Sequence, residues 1–196
     1  MTIANSYQLD WQGPFTYQRA VGESCFDSWA AKEPGVYLWT FEYRDGYLIY
    51  IPGLTMASFA ERLGAYINLF RQGKYTILNG LSAQRGSRDE IWHGLLWDKT
   101  PGRKEMFSSR QVEYERAADE MMSKMRIFLA PLRAERRVVP RIEAAIIDIL
   151  YSGVGPVHDL PDKGMHREPR QLIEEPFTVR SNAHVLLHGL PSSFEA

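Results

Sequence analysis

The chain has only one cysteine, Cys25, so an internal disulfide is excluded. It also lacks any run near the roughly 18 continuous apolar residues that a membrane-spanning helix needs. Residues 1–13 show no basic start followed by an apolar stretch, so the sequence predicts no secretory signal. A lone thiol is typical of a reducing compartment. We therefore expect a soluble protein of the cytoplasm without a membrane partner.

A net charge of one sign is also lacking. The 196 residues carry 23 basic and 24 acidic side chains, for a formal net charge of −1. This balance excludes a global attraction to nucleic acid, so any contact with DNA must come from a local basic patch. Hydrophobic residues make up 44% of the chain, which is sufficient for the core of one domain.

The apolar pattern predicts the order of the main elements. Val36–Glu42 and Tyr47–Ile51 are rich in β-branched and aromatic residues and indicate a hairpin. Met56–Phe70 has the three- and four-residue apolar spacing of a helix. A strand at Arg126–Leu132 and a second helix at Arg137–Tyr151 follow. The sequence thus predicts an α/β fold, a small mixed sheet built on the hairpin with helices packed on it.

Three regions are predicted along the chain. Residues 1–33 form an irregular N-terminal arm, and residues 34–155 form the core, with an insertion at about 71–125. Five of the eleven prolines fall in residues 156–196. This last region is therefore interpreted as a loop-rich C-terminal extension packed on the core.

Two tyrosines stand on the predicted hairpin, one on each strand. Tyr37 and Tyr50 are thirteen residues apart. In an antiparallel pair joined by a loop of even length, this separation places both side chains on the same face of the sheet. A loop of odd length or a bulge would change the relationship.

Two charged residues interrupt the apolar stripes of the predicted helices. Arg62 lies three residues after Phe59 and four before Tyr66, on or beside the apolar stripe. Either its apolar stem runs along the core and its guanidinium reaches water, or the guanidinium is part of a functional site. Glu143 borders the stripe of the second helix. Its carboxylate either pairs with an arginine such as Arg62 or binds a divalent metal ion.

Four arginines lie just before or within the second helix: Arg133, Arg136, Arg137 and Arg141. One interpretation is a solvated face that pairs with Glu135. The other is contact with the phosphate backbone of DNA next to a site. The pattern alone leaves both open.

Four short motifs occur in a fixed order across residues 34–152. They are Gly35-Val36-Tyr37, Tyr50-Ile51-Pro52-Gly53, Arg62-Leu63 and Arg141-Ile142-Glu143. Their order and placement resemble the GIY-YIG nuclease family, with Pro52 as one inserted residue. The resemblance makes Tyr66 a supporting residue, at a position where the family commonly has histidine. Asn182 is the candidate for the family's closing asparagine.

The resemblance implies metal-dependent hydrolysis of phosphodiester bonds in DNA. The implied catalytic residues are Tyr37, Tyr50, Arg62 and Glu143. Glu143 would bind Mg²⁺ or Mn²⁺, and Arg62 would meet the negative charge of the transition state. Tyr37 or Tyr50 would position or deprotonate the attacking water. If so, we expect all four side chains to line one concave surface.

Two other classes of function remain open from the sequence. The first is a catalytically inactive module that keeps this fold and binds nucleic acid or a protein partner. The second is a nucleotide-processing or structural protein of unrelated mechanism. The five histidines do not show the spacing of a zinc site.

Overall fold

The computed structural model describes residues 6–18 and 22–196 and confirms an α/β fold. The strands are β1 (Ser6–Asp10), β2 (Gln12–Phe15), β3 (Gly35–Tyr43), β4 (Gly46–Thr55), β5 (Ile77–Leu78), β6 (Glu90–Trp92), β7 (Met125–Pro131), β8 (Thr178–Asn182), β9 (Leu186–His188) and β10 (Ser193–Glu195). The helices are α1 (Phe59–Arg71), α2 (Gly80–Gln84), α3 (Arg103–Ser109), α4 (Gln111–Lys124), α5 (Val138–Ser152) and α6 (Pro156–Asp159). A short 3-10 turn spans Trp29–Lys32.

A central sheet carries the hairpin predicted from the sequence. Its five strands have the order β2-β7-β3-β4-β9, beside a three-stranded sheet β1-β8-β10 and a small β5-β6 pair. On its outer side β4 pairs with β9 only over Gly46–Leu48. Residues 49–55 of β4 therefore have no strand on that side among those the structure describes. We call this stretch the open edge of β4. An edge position is one where Pro52 is tolerated, because proline has no N–H for a strand partner.

The hairpin register contains one bulge. Thr40 is opposite Ile49 and Trp39 is opposite Ile51, which leaves Tyr50 as the extra residue. Tyr37 and Tyr50 nevertheless pack in the same apolar cluster on one side of the sheet. The prediction that they share a face is therefore confirmed.

The central sheet is covered on both sides. Helices α1 and α4 and the β5-β6 pair pack on one face, where the apolar residues of α1 form a buried stripe with Met121 of α4. Helix α5 and the three-stranded sheet pack on the other face, through side chains such as Ile142, Ile146 and Val179. Helices α1 and α5 thus lie on opposite faces of the sheet.

The long periodic elements agree with the sequence, whereas the short helices α2 and α3 were not predicted. Helix α1 begins after Ser58, whose hydroxyl accepts the N–H of Glu61, as expected of an N-cap. Pro140 stands in the first turn of α5, where proline is tolerated. Helices α2 and α3 are too short to leave a periodic pattern. In the described part of the chain, no helix has both the length and the apolar character needed to cross a membrane.

The irregular N-terminal arm is a correction to the prediction. Strand β1 pairs in parallel with β8, and β2 pairs with β7 of the central sheet. The extension also contributes strands β8, β9 and β10. All of these strands are short, and β1, β2 and β9 pair with strands far away in sequence, so tertiary pairing rather than local propensity forms them. Residues 1–5 and 19–21 of the arm lie outside the described residues.

Candidate functional site

A cavity of about 750 Å³ lies beside the open edge of β4. Helix α1 reaches it from one face of the sheet with Arg62 and Tyr66, and α5 reaches it from the other face with Glu143. Because no strand continues the sheet here, side chains from the two opposite layers meet around the edge. Three of the residues singled out from the sequence thus share one concave surface.

Two segments far away in sequence form the remaining walls. The turn after β6 contributes Leu96 and Trp97, and Tyr75 stands next to α1. Residues of the segment 162–168 in the C-terminal extension also line the cavity. Since these walls come from the insertion and the extension, no single motif in the sequence indicates the cavity.

The guanidinium of Arg62 is held from two directions. Its Nε donates to the hydroxyl of Tyr37 at 3.2 Å, and its Cζ lies 4.7 Å from the centre of the Tyr66 ring. Within the described part of the chain, neither Nη atom of Arg62 donates to a protein acceptor. Arg62 is therefore oriented by its neighbours while its outer N–H groups remain free for an anion.

Tyr37 lies behind Arg62 and does not line the cavity. Its side chain is fully buried, and this burial raises its pKa to about 12, although the charge of Arg62 opposes the rise. A phenol with this pKa stays neutral near pH 7 and is a poor base. Tyr37 is thus suited to position Arg62 rather than to accept a proton from water.

Tyr50 is also absent from the cavity wall, contrary to the expectation of one surface for all four residues. It is fully buried, and its hydroxyl donates to the carbonyl oxygen of Thr76 at 2.8 Å. Burial raises its pKa well above the ordinary value, and the nearby charge of Asp162 adds to the shift. Attacking water cannot reach this hydroxyl, because the side chain points into the core on the α4 side.

Glu143 is largely buried at the cavity wall. Burial raises its pKa from 4.5 to about 7, while Arg62 and a hydrogen bond from the backbone of Leu54 act in the opposite direction. Glu168, on the extension, raises it further. The structure contains no ion pair between Glu143 and Arg62 among the described residues. The geometry therefore does not support the hypothesis that Glu143 and Arg62 form a structural ion pair.

The cavity residues suit a divalent cation that keeps most of its water ligands. They do not supply a full set of protein ligands. Glu143 and Glu168 both line the cavity, and the charge of Glu168 raises the pKa of Glu143, an effect that a cation would relieve. No group of three or more histidine, cysteine or acidic side chains is arranged for a metal ion among residues 6–18 and 22–196. Mg²⁺ commonly binds one or two carboxylates and keeps several of its waters. Glu143 is the residue that would hold it.

Three tyrosines, Tyr37, Tyr66 and Tyr75, form an aromatic cluster next to Arg62. The rings of Tyr66 and Tyr75 are parallel within 12°, with centroids 4.7 Å apart. The Tyr66 side chain also interacts with Tyr37, and burial raises the pKa of both Tyr66 and Tyr75. The Tyr66 ring thus lies against the guanidinium of Arg62.

Asp162 is the most deeply buried acid at the cavity, and the sequence did not single it out for a role. Its carboxylate accepts hydrogen bonds from Arg88 at 2.5 Å and from Trp97 Nε1 at 3.2 Å, and it lies 3.4 Å from the Tyr50 hydroxyl. These contacts join the insertion, the hairpin and the extension. No local pattern could indicate this, because an aspartate in a proline-rich segment is typical of an exposed loop.

Asn182 does not lie with the other predicted site residues. It belongs to β8 of the three-stranded sheet, and its side-chain amide donates to Asp10 at 2.9 Å. Its backbone carbonyl accepts from Trp11. Asn182 therefore fastens β1 to β8, and the structure gives it no contact with the cavity.

The four arginines do not form one surface. Arg141 is buried, donates to the carbonyl oxygens of Glu175 and Ala196, and so cannot contact DNA phosphates without leaving them. Arg137 pairs with Glu168 and Glu174 of the extension. The two that remain exposed are Arg133, which pairs with Glu33, and Arg136. The sequence suggested Glu135 as the partner of a solvated arginine face, but Arg133 pairs with Glu33 instead.

No protein-family model, curated protein or solved structure matches the chain.

Proposed function

We propose that the chain hydrolyses phosphodiester bonds of DNA in the cavity at the open edge of β4, in the manner of a GIY-YIG nuclease. The observation that supports this most strongly is the meeting of Arg62 and Glu143 in one cavity. They belong to motifs 81 residues apart and to helices on opposite faces of the sheet. Their roles in the resemblance require this proximity.

Arg62 would stabilise the charge that develops on the phosphate. Hydrolysis passes through a state in which the equatorial oxygens gain negative charge, and donors already in place cost little reorganisation. Tyr37 and the ring of Tyr66 fix the guanidinium before the substrate binds. The terminal Nη groups are the donors that would face the phosphate.

Glu143 would hold a divalent cation, and Mg²⁺ or Mn²⁺ fits its carboxylate best. When bound, such a cation neutralises phosphate charge and lowers the pKa of water. The tyrosines are then left with positioning, since Tyr37 is neutral and Tyr50 is out of reach. This replaces the earlier hypothesis that Tyr37 or Tyr50 takes the proton.

The test is cleavage of labelled DNA with and without Mg²⁺ or Mn²⁺. We expect metal-dependent cleavage that Glu143→Ala and Arg62→Ala both abolish. Arg71→Ala is the matched control, because Arg71 lies on the same helix and forms an exposed pair with Asp119. Cleavage that survives in Glu143→Ala or proceeds fully in EDTA would refute the proposal.

A catalytically inactive module that binds nucleic acid is the second candidate. The burial of Tyr50 favours it, since the second tyrosine of the motif pattern does not reach the cavity. DNA binding without cleavage in either metal would support this candidate. Failure to bind any DNA at low salt would instead favour a module that binds a protein partner.

A further inference from the structure

The walls of the cavity are mostly apolar and aromatic, which phosphate chemistry alone does not explain. Tyr75, Trp97, Leu96 and Met165 all line it. Among the residues that the structure describes, Arg62 is the one arginine or lysine in the lining. A site that bound only the backbone of DNA would instead present several cations along the phosphates.

Two partly exposed aromatic rings, those of Tyr75 and Trp97, are held in place by buried partners. Trp97 donates its indole N–H to Asp162, which is 1% exposed and is itself paired with Arg88. The Tyr75 ring stacks on Tyr66, with the centroids 4.7 Å apart. Both rings are only partly buried. Fixed, accessible aromatic rings are the surfaces on which unpaired bases stack.

The size of the cavity suits a single nucleotide rather than a duplex. Residues of the segment 162–168 line the cavity together with β4 and α1, so an anion that reaches Arg62 enters a concave space. The volume of about 750 Å³ lies within the range of sites for single small ligands. Paired bases cannot turn into such a space unless a nucleotide first leaves the helix.

We propose that the substrate is single-stranded DNA, with a phosphate against Arg62 and an adjacent unpaired base against Tyr75 and Trp97. The identity of the reaction rests on the function proposed above, whereas the binding of a single strand is a separate property. Arg137 and Arg141, which would have extended a surface for duplex DNA, are engaged within the protein.

The experiment measures binding without catalysis. A labelled oligothymidylate of about 15 nucleotides, within the range of single-strand site sizes, is titrated in EDTA and compared with a duplex of equal length. We expect the single strand to bind at least roughly tenfold more tightly, and Trp97→Ala to weaken it roughly tenfold. Trp97→Phe should retain most of the binding. Trp29→Ala, at a tryptophan that is 66% exposed and outside the cavity, should leave it unchanged.

A second variant protects the test against a failure of Trp97→Ala to fold. Leu96 is 41% exposed at the cavity, so Leu96→Glu should fold and should repel the strand. Equal affinity for the duplex, or unchanged single-strand binding in Leu96→Glu and in folded Trp97→Ala, would overturn the proposal. Tight single-strand binding without cleavage would refute only the nuclease function. Equal cleavage of duplex and single strand would refute only the substrate.

Discussion

Arg62 and Glu143 line the same cavity although their helices cover opposite faces of the central sheet. The meeting is possible because β9 pairs with only the first residues of β4. Beyond that point the sheet has an edge, and both layers reach around it. The charge of Arg62 lowers the pKa of Glu143 across the cavity, while burial raises it more strongly.

The first prediction concerns the pH dependence of stability. The folded-state pKa of Glu143 is about 7, above its ordinary 4.5, so between these values the native state binds more protons than the unfolded state. The contribution of Glu143 therefore favours folding below about pH 4.5 and is lost as the pH rises through 7. Glu143→Gln should remove this loss, which is on the order of 1–3 kcal/mol.

The measurement is urea denaturation of both proteins between pH 4.5 and 8. The difference between them is the quantity of interest, because groups such as Glu174, whose pKa is lowered to about 2 by Arg137, shape the common profile. Glu120→Gln, at an exposed residue of α4, is the control. A difference that stays constant over this range would contradict the prediction.

The second prediction concerns metal. Mg²⁺ or Mn²⁺ should raise the melting temperature of the wild-type chain, because a ligand bound only to the folded state stabilises it by about 2.7 kcal/mol at a hundred times its Kd. Glu143→Ala should abolish the rise. Without metal the same variant should be as stable as the wild type or more so, since Glu143 has no ion pair with Arg62 to lose. A large fall in metal-free stability, with no metal effect in the wild type, would indicate a structural role.

The third prediction treats Tyr37 and Arg62 as one unit. Arg62→Ala should lower kcat by roughly 10²–10³. Tyr37→Phe removes one hydrogen bond to Arg62 and should lower kcat by up to roughly tenfold, with little change in KM. In the Arg62→Ala background, Tyr37→Phe should have no further effect. Tyr43→Phe, on the same strand, is the control. Additive losses would mean that Tyr37 acts on the substrate by another route.

The fourth prediction compares two ion pairs of different burial. Asp162→Asn leaves Arg88 without its buried partner and should destabilise the fold by roughly 3–5 kcal/mol. Asp119→Asn breaks the Arg71 pair, in which both side chains are 43% exposed, and should change stability by less than about 1 kcal/mol. Chemical denaturation of both variants measures the contrast. Similar losses for both variants would contradict a structural role for the buried Asp162–Arg88 pair.

The fifth prediction concerns the glycine of the second motif. A Cβ at Gly53 would lie 2.3 Å from the Tyr37 ring and hydroxyl, so Gly53→Ala should displace Tyr37 and cost roughly 1–3 kcal/mol. A Cβ at Gly64, inside α1, would meet nothing within 4 Å. Gly64→Ala should therefore stabilise the fold by roughly 0.5–1 kcal/mol. The melting temperatures of Gly53→Ala and Gly64→Ala test this contrast. Equal shifts in the two variants would contradict the packing of Tyr37 against Gly53.

The sequence by itself determined the long periodic elements and the residues that interrupt them. The stripe of α1 and that of α5 follow from apolar spacing, which local geometry imposes wherever a helix forms on a core. The same spacing placed Arg62 and Glu143 at the borders of their stripes. The shared face of Tyr37 and Tyr50 followed from strand alternation.

The tertiary structure alone decided what surrounds those residues. Strands β1 and β8 form by pairing across most of the chain, and neither has a strong local signal. The burial of Tyr50 and Asp162 depends on the insertion and the extension folding over the hairpin. The hydrogen bond of Arg141 to Ala196 in the extension likewise joins residues far apart in the sequence. Side-chain chemistry and spacing are local properties, whereas burial, partners and the walls of a cavity arise only when distant segments pack together.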